Sequence, residues 1–383
     1  MNKSRRNRHG VVVLGMITAA LAGATVAFFL IPKFGFVQPV IYKQEQGWSN
    51  EKFAANYDKA INVLNEMTLD EKIGQLLFVR VPNYDALSAL KQYHFGGYVL
   101  FGRDLDGENK TTLAAKILGW QNASKIPLFI GIDEEGGTVS RFSYAGWDYF
   151  DSPQKLYVRG GFDLISSEES RKVKMLESLG INVNFAPVAD TCVNQNAFIY
   201  ERSFGKDSNA TSEFIKTAVL AYQNSKVSTT LKHFPGYGNN ADTHFGIAID
   251  NRSLDDFEAV DFLPFKTGID AGTNFVMFSH NIVSAVDSVN PASISPVWHQ
   301  ILTEKLGFSG IMITDDLSMG AIADYYHGEY SAEVQGVIAG NNMLVVSDYV
   351  TAFNNIKKAV DEAVITESQI DYLLIPVLAL KLE

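Results

Sequence analysis

The chain has 383 residues, of which 46% are hydrophobic, and its formal net charge is -11. This composition is sufficient for a large buried core and excludes an intrinsically disordered chain. The acidic balance argues against a nucleic-acid partner, because phosphate binding requires clustered Lys and Arg. The single cysteine, Cys192, cannot form an internal disulfide. We expect it to be a buried, small apolar residue rather than a nucleophile.

The N-terminal segment combines a basic start with a long apolar run. Lys3, Arg5, Arg6 and Arg8 precede an uncharged stretch, residues 11–31, of about 21 residues, which is long enough to cross a hydrocarbon core of about 30 Å. We expect residues 1–31 to be an uncleaved signal anchor, with a cleaved signal peptide as the alternative. The basic flank should stay in the cytoplasm. The remainder is therefore expected outside the cell membrane, or secreted after cleavage.

The rest of the chain is predicted to be a tether, residues 32–55, followed by one catalytic domain, residues 56–383. Helical periodicity begins near Asn56, and short apolar runs then alternate with amphipathic helices. The predicted strands are Gly74–Val79, Gly97–Phe101, Leu128–Ile132, Val183–Val188, Ser228–Leu231, Phe275–Phe278, Gly310–Ile313 and Met343–Val346. Eight βαβ-type units predict a single α/β (β/α)8 TIM-type barrel, with a doubly wound open sheet as the alternative. A last helix is expected from about Glu367 to Lys381.

Polar residues recur directly after six of these apolar runs. They are Asp133-Glu134-Glu135, Asp190, Lys232-His233, Ser279-His280-Asn281, Thr314-Asp315-Asp316 and Ser347-Asp348. Any one of these groups is compatible with simple capping of the next helix. In a barrel, however, the carboxyl ends of the strands share one mouth, where active sites are built. Six groups in phase therefore predict a shared pocket.

The segment from Lys232 to His244 is the densest in chemistry-bearing residues. Its glycines and its proline predict an irregular loop that approaches a ligand closely. Asp242 and His244 lie two residues apart, so in an extended segment their side chains can face the same way. A carboxylate that accepts from one imidazole nitrogen raises the basicity of the other, which is a general acid/base dyad. A metal site formed by these residues with His233 and His280 is the alternative, but the histidines lack tight ligand spacing.

A second segment, Ile311–Met319, delivers two adjacent acids after an apolar strand. Successive side chains diverge along a strand, so only one of Asp315 and Asp316 can face the mouth squarely. The other is expected to cap the following helix. From the pattern alone, the carboxylate that faces the mouth can be a nucleophile, a metal ligand or a structural cap.

With these segments the sequence resembles glycoside hydrolase family 3, specifically its bacterial single-domain β-N-acetylglucosaminidases. The resemblance covers nearly all of residues 56–383. It rests on five ordered blocks: Met67–Gln75, Ile132–Gly137 with Val139 and Arg141, Asn184–Asp190 with Arg202–Gly205, Lys232–His244, and Thr314–Met319. The order of the five blocks makes this more specific than any lone motif.

The resemblance implies a role for each candidate residue. Asp315 matches the nucleophile of the family, His244 its histidine acid/base and Asp242 the carboxylate partner of that histidine. The residues that match those holding the non-reducing sugar are Asp133, Arg141, Arg202, Lys232 and His233. Larger members add a second domain that supplies the acid. We expect this chain to have no room for one, so its acid is expected to come from the barrel.

Two positions depart from the pattern of the family. Tyr237 stands between two glycines where the family usually has His, and we expect its hydroxyl to be able to keep a sugar contact. Asn341-Asn342 precedes the eighth strand where an acid is usual, so the acceptor is kept and the charge is lost. Neither position coincides with the nucleophile or the dyad, and we therefore expect an active enzyme.

The predicted function is retaining hydrolysis of terminal β-linked N-acetylglucosamine from cell-wall-type glycans or muropeptides, without a metal or organic cofactor. The expected partners are this carbohydrate substrate and, through the N-terminal helix, the membrane. Phosphorolysis is a close alternative, because a neutral histidine would not repel phosphate. A β-glucosidase of the same family and a non-catalytic glycan-binding module are further alternatives.

Overall fold

The computed structural model describes residues 52–243 and 246–383. Eight short parallel strands, here β1–β8, alternate with helices along these residues. Their bounds are Leu77–Arg80, Gly97–Leu100, Phe129–Ile132, Val183–Asn184, Ser228–Phe234, Phe275–Phe278, Ile311–Thr314 and Leu344–Val346. All eight predicted strands are therefore present.

The eight strands form one sheet in the order β7-β6-β5-β4-β3-β2-β1-β8. Neighbouring strands are parallel, as expected for strands joined by helical crossovers. The two ends of the sheet also meet. A parallel bridge joins Ile313 of β7 to Met343, just before β8, and the amide of Asn342 donates to the carbonyl oxygen of Met312 at 2.8 Å. The sheet is thus a nearly closed barrel, which favours the predicted TIM-type barrel over the open sheet.

The helices pack around this sheet and begin at residues suited to capping. Thr68 and Glu71, for example, form a capping box at the start of Leu69–Gln75. The other helices longer than six residues are Tyr57–Asn65, Ala86–Tyr93, Lys110–Ala123, Pro153–Leu179, Ser208–Leu220, Phe262–Asp270, Pro296–Glu304, Ala332–Ala339, Tyr349–Asp361 and Glu367–Lys381. Pro153–Leu179 is broken at Gly160 and Gly161, where the backbone is not helical. The last helix has the predicted bounds.

Aromatic rings from several strands fill part of the barrel interior. Phe78, Phe129, Phe185 and Phe275 are buried and contact one another at ring-centroid distances of 5.2–6.3 Å. Gly131 makes room for them, since a β-carbon there would lie 2.8 Å from Phe78 and Phe185. The last helix closes the floor of the barrel. Its Lys381 ammonium group donates to Gln75 Oε1 at 2.7 Å and to the Gly96 carbonyl oxygen at 2.6 Å.

Most strand boundaries agree with the prediction to within one residue, but those of β1, β4 and β5 differ by more. Predicted β4, Val183–Val188, ends at Asn184. Gly74 and Gln75, predicted to begin β1, belong to the helix Leu69–Gln75, because the capping box at its start favours helical continuation. At β5 the strand continues to Phe234 instead of ending at Leu231, so Lys232 and His233 are strand residues rather than loop residues. Both side chains are buried, and the pairing of β5 with the chain segments on either side fixes their backbone.

The N-terminal predictions fall on a part of the chain that the structure does not describe. The expected anchor, residues 1–31, and the tether up to residue 51 lie outside the described residues. Among residues 52–243 and 246–383, no helix has the length and apolar character needed to cross a membrane. At the start of the described chain Phe53 is buried. Cys192 is free and buried, as expected.

Candidate active site

The loops after β3, β4 and β5 converge at the mouth of the barrel. After β3, Asp133 precedes a tight antiparallel hairpin formed by Glu134–Gly136 and Val139–Ser140. This hairpin turns the chain back so that Arg141, at the start of the next short helix, reaches the carboxylate of Asp133. Two side chains eight positions apart in the sequence are therefore brought together by local structure alone.

Five of these side chains form what we call the charged network: Asp133, Glu135, Arg141, Arg202 and Lys232. Lys232 Nζ lies 2.7 Å from Asp133 Oδ1 and 2.6 Å from Glu135 Oε1, and therefore joins the two carboxylates. The other side of each carboxylate is held by an arginine. Arg141 donates to Asp133 at 2.9 Å, and Arg202 binds Glu135 through two nitrogens at 3.0 and 2.7 Å. The forked arginine contact fixes the orientation of Glu135.

The network keeps its charges despite burial. Desolvation opposes ionisation of Glu135, but Arg202 and Lys232 outweigh it and lower the pKa of this carboxyl to about 2. Desolvation likewise opposes ionisation of Asp133, and Lys232 and Arg141 hold the pKa of that group well below its usual range. For Lys232, the two carboxylates overcome burial and raise the pKa. Fixed donors and acceptors of this kind are suited to binding sugar hydroxyl groups.

His233 and Asp190 form a buried pair beside this network. Asp190 Oδ2 accepts from the backbone N–H of His233 at 3.0 Å and lies 2.8 Å from its Nδ1, while Oδ1 accepts from the amide of Tyr237 at 2.7 Å. Arg202 lies 3.2 Å from His233 Nε2. Because arginine can only donate, Nε2 accepts and the ring proton is on Nδ1. Asp190 therefore sets both the tautomer and the position of His233.

Asp315 is the first residue after β7, and its backbone fixes it at the mouth. Its N–H donates to the Phe278 carbonyl oxygen at 3.0 Å, and its Oδ1 accepts from the N–H of Asp316 at 2.8 Å. Desolvation opposes its ionisation. In their protonated forms His233 and His280 outweigh this effect, with help from the Asp316 N–H and Lys232, and lower the pKa of Asp315. A partly buried carboxylate kept in its charged form can act as a nucleophile.

The neighbouring Asp316 organises the turn that follows. Its carboxylate accepts from the Ser318 N–H at 2.9 Å and from the Ser347 hydroxyl at 3.2 Å. The expectation that it caps the next helix is wrong in detail, because Met319 is the N-cap of Gly320–Ala323. The two acids nevertheless have different surroundings, as their divergent directions predict.

The loop after β5 carries Asp242, which is half-buried, and leads into His244, which lies outside the described residues. Between them, Thr243 is buried and anchored at both ends. Its hydroxyl pairs with the Tyr237 hydroxyl at 2.5 Å, and its carbonyl oxygen accepts from Ala321 at 3.1 Å. The loop of the predicted dyad is therefore bound to the segment that follows Asp315.

The turn that begins this loop requires a glycine. Gly236 has φ +124°, and a β-carbon there would lie 2.3 Å from Asp261 Oδ1. Arg252 holds the same region by donating to the Gly236 carbonyl oxygen at 3.1 Å and to Asp261 Oδ2 at 2.7 Å. Desolvation, the largest effect, raises the pKa of Asp261 to about 7 although Arg252 opposes this.

The two departures from the family pattern have structural roles. Tyr237 is buried, and its hydroxyl is directed to Thr243. Asn342 joins β7 to the last helix, since its Oδ1 accepts from Met312 at 2.7 Å and its Nδ2 donates to the Leu373 carbonyl oxygen at 2.8 Å. A carboxylate cannot make the second contact, so the amide is the better fit here. Asn341 Nδ2 likewise donates to Ser293 at 2.8 Å.

All described sequence-predicted residues belong to this mouth, but three further residues lacked an assigned role. Glu135 is as central to the charged network as Asp133, Asp190 orients His233, and His280 faces Asp315. His280 is itself held by the Ser293 hydroxyl at 2.7 Å and by the Asp316 carbonyl oxygen at 3.0 Å. These residues follow β3, β4 and β6 closely in the sequence, and this position could have identified them as site residues. Within the described part of the chain, no group of three His, Cys, Asp or Glu side chains is arranged to hold a metal ion.

The chain is similar in sequence to known proteins. Residues 68–380 match the glycosyl hydrolase family 3 N-terminal domain. A protein named beta-hexosaminidase from Nitrosomonas eutropha is 34% identical over 263 residues, which are 66% of this chain and 73% of that protein. Another from Stenotrophomonas maltophilia is 35% identical over 233 residues, 59% of this chain and 68% of the relative.

Solved structures of the same kind are also similar. A glycoside hydrolase family 3 β-N-acetylglucosaminidase from Paenibacillus superposes with a TM-score of 0.76 at 29% identity. The match covers 82% of this chain but only 62% of that longer protein. A family 3 glycosyl hydrolase from Mycobacterium smegmatis gives a TM-score of 0.74 at 28% identity, covering 83% of this chain and 98% of that structure.

Proposed function

Because this chain belongs to glycosyl hydrolase family 3, we propose that it is a retaining exo-β-N-acetylhexosaminidase that removes terminal N-acetylglucosamine. The observation that carries the proposal is the placement of Asp315. Its carboxylate is kept charged at the mouth of the barrel, and it is coupled electrostatically to His233, His280 and Lys232. A fixed carboxylate beside an array of hydroxyl-binding groups is the arrangement required for attack on an anomeric carbon.

In this mechanism Asp315 attacks the anomeric carbon and forms a covalent glycosyl-enzyme. His244, oriented by Asp242, protonates the leaving oxygen, and then deprotonates the water that releases the sugar with retained configuration. The anchoring of Thr243 to the Asp315 side of the mouth supports this pairing, because it ties the loop of the dyad to the segment after the nucleophile. No metal or organic cofactor takes part.

The charged network and His233 supply the binding of the non-reducing sugar. Asp133 and Glu135 accept from hydroxyl groups, whereas Arg141, Arg202 and Lys232 donate to them. Because each group is already held by its neighbours, little ordering accompanies binding of the sugar. Misplaced hydroxyl groups would leave buried charges unpaired, which makes the network selective.

The names of the similar proteins support N-acetylglucosamine as the sugar. The test is a set of chromogenic β-glycosides that differ only at the 2-position. We expect N-acetylglucosaminides to exceed glucosides in kcat/KM by about 1–3 kcal/mol, or 10–200-fold, the scale of one good pocket contact. The first product should be the β-anomer, and a 2-fluoro sugar should label Asp315.

Each other outcome of this test has a definite meaning. Preference for glucosides would make the chain a β-glucosidase, and initial release of the α-anomer would overturn retention. Sugar phosphate formed only when phosphate is supplied would indicate a phosphorylase. Binding without turnover of any glycoside would indicate a glycan-binding module.

We also propose that the enzyme acts outside the cytoplasm on cell-wall-type glycan fragments. The support is the sequence itself, in which the basic residues up to Arg8 are followed by the apolar stretch 11–31. Protease added to intact cells should then digest the catalytic domain, or the domain should be found in the medium. Complete protection inside intact cells would contradict this location.

A further inference from the structure

A pocket lies among the loops that follow β5, β6 and β7, and no residue of the charged network lines it. It has a volume of about 210 Å³. Its walls include Ile247, Ile282, Val289, Tyr325, Tyr326 and His327. None of the described residues that line it is Asp, Glu, Lys or Arg. The pocket is thus apolar and aromatic, in contrast to the charged network.

This pocket shares a wall with the loop that carries the predicted acid/base dyad. Ile247 lies three residues after His244, and a β-carbon placed on Gly246 would lie 3.7 Å from Cε2 of Tyr325. Ala321, another wall residue, donates to the carbonyl oxygen of Thr243 at 3.1 Å. The pocket is therefore continuous with the dyad loop rather than a separate surface feature.

We propose that this pocket binds the leaving group of the substrate, and that Tyr325 is its main contact. The inference rests on the proposed function. A general acid must reach the oxygen between the two halves of the substrate, so the half that departs lies on the acid's side. The charged network accounts for the half that forms the glycosyl-enzyme. The pocket lined by Ile247 adjoins the same loop.

The chemistry of the pocket points to a neutral sugar ring as the leaving group. The face of an aromatic ring carries partial negative charge, which suits the C–H groups on one face of a pyranose. Tyr325 is 51% exposed and presents such a ring, whereas Tyr326 is half-buried and contacts Asn290 through its hydroxyl at 3.5 Å. The volume of about 210 Å³ is below the roughly 300 Å³ of pockets that hold drug-sized ligands, which suits a single ring inside the pocket.

The experiment compares two N-acetylglucosaminides that share the non-reducing sugar. One is the β-linked disaccharide of N-acetylglucosamine, and the other is its methyl β-glycoside. Tyr325→Ala should lower kcat/KM for the disaccharide by about tenfold, the lower end for a lost apolar contact, and change the methyl glycoside less than twofold. Tyr325→Phe keeps the ring and should behave as wild type.

A matched control is Tyr149→Ala, which removes a tyrosine of nearly equal exposure, 49%, outside this pocket. It should leave both substrates unchanged. If Tyr325→Ala slows both substrates by the same factor, or neither, the leaving-group pocket is overturned while the proposed function stands. If the wild-type enzyme cleaves neither substrate, and calorimetry detects no binding of free N-acetylglucosamine, the proposed function fails and this inference fails with it.

Discussion

The two sides of the barrel mouth are built from opposite chemistry. The loops after β3 and β4, with the end of β5, carry buried ion pairs in which Lys232 joins Asp133 and Glu135. The loops after β6 and β7 carry an apolar pocket that presents the ring of Tyr325. Buried charges reject a ligand that leaves any of them unpaired, whereas an apolar wall discriminates weakly between rings of similar size. Under the proposed function, one side would therefore select the non-reducing sugar closely, and the other would discriminate weakly between leaving groups.

The largest effect is expected at Asp315, the proposed nucleophile. Asp315→Ala should lower kcat at least 10⁴-fold, as is typical when the nucleophile of a catalytic unit is lost. Steady-state turnover of an N-acetylglucosaminide measures this directly. Asp316→Asn is the control and should cost much less, because that side chain contacts Ser318 and Ser347 in the following turn. Residual turnover above a few per cent in the Asp315 variant would mean that another group attacks.

The proposed acid/base dyad, Asp242 and His244, is expected to give the next largest effect, and one that depends on the leaving group. His244→Ala should lose about 10²–10⁴-fold on a glycoside with a poor leaving group and much less on an activated phenol, which needs little protonation. Asp242→Ala should show the same trend more weakly. The measurement is kcat/KM across aryl glycosides of graded leaving-group pKa. Equal losses along the series would remove both residues from the acid/base role.

The charged network can be disrupted at Lys232, the cation that joins its two carboxylates. Lys232→Met leaves Asp133 and Glu135 without their shared partner, and should lower the free energy of unfolding by about 3–5 kcal/mol at pH 7. Lys216→Met, on an exposed part of a helix, should change it by less than about 0.5 kcal/mol. Urea denaturation measures both variants.

The effect of Lys232→Met on the free energy of unfolding should depend on pH. The pKa of Glu135 is lowered to about 2 in the folded protein. Its stabilising contribution is therefore complete above its unfolded value of about 4.3 and is lost as pH falls toward 2. The stability difference between wild type and Lys232→Met should narrow over that interval. A difference that stays constant with pH would mean that the ion pairs contribute little.

Asp261 should change the free energy of unfolding with pH in the direction opposite to that of Glu135. Its pKa is raised to about 7, and its Oδ1 has no hydrogen-bond partner among the described residues. The stability linked to its protonated form is thus present at low pH and is lost as pH rises from about 3.9 to 7, by up to about 1.4 kcal/mol per pH unit. Asp261→Asn should flatten this decline, whereas the exposed Asp270→Asn should not. A decline of equal slope in the Asp261 variant would contradict the raised pKa.

The sequence predicts the repetitive parts of this molecule better than the individual contacts. Eight apolar runs of similar length, separated by helices, were enough to predict the barrel, because every strand is buried by the same packing. The predicted start of β1 is wrong because Gly74 and Gln75 directly precede the apolar run 76–79 yet belong to a capped helix.

The candidate site was predictable to the extent that it depends on strand ends. Asp133, Lys232, His233 and Asp315 lie at the same mouth because each follows or ends a strand of one barrel, whose carboxyl ends all face that side. Which carboxylate Lys232 shares, and how Asp190 orients His233, depend on distances across the mouth that no spacing in the sequence encodes. Tyr237 illustrates the limit, since a loop residue gives no sign of whether its hydroxyl faces ligand or protein.

The smallest predicted effect concerns Tyr237. It separates two interpretations of the Tyr237 hydroxyl, a contact with the protein and a contact with the sugar. The Tyr237 hydroxyl is buried and paired with Thr243, directly before His244. Tyr237→Phe should therefore lower the free energy of unfolding by about 1–2 kcal/mol, the usual cost of leaving a buried hydroxyl without its partner. Binding of free N-acetylglucosamine, measured by calorimetry, should change less than twofold, because the hydroxyl is engaged by the protein. Thr243→Val tests the other half of the pair and should destabilise the protein by a similar amount. If Tyr237→Phe instead weakens sugar binding tenfold with little effect on unfolding, the hydroxyl contacts the sugar, and the selective side of the mouth extends into the dyad loop.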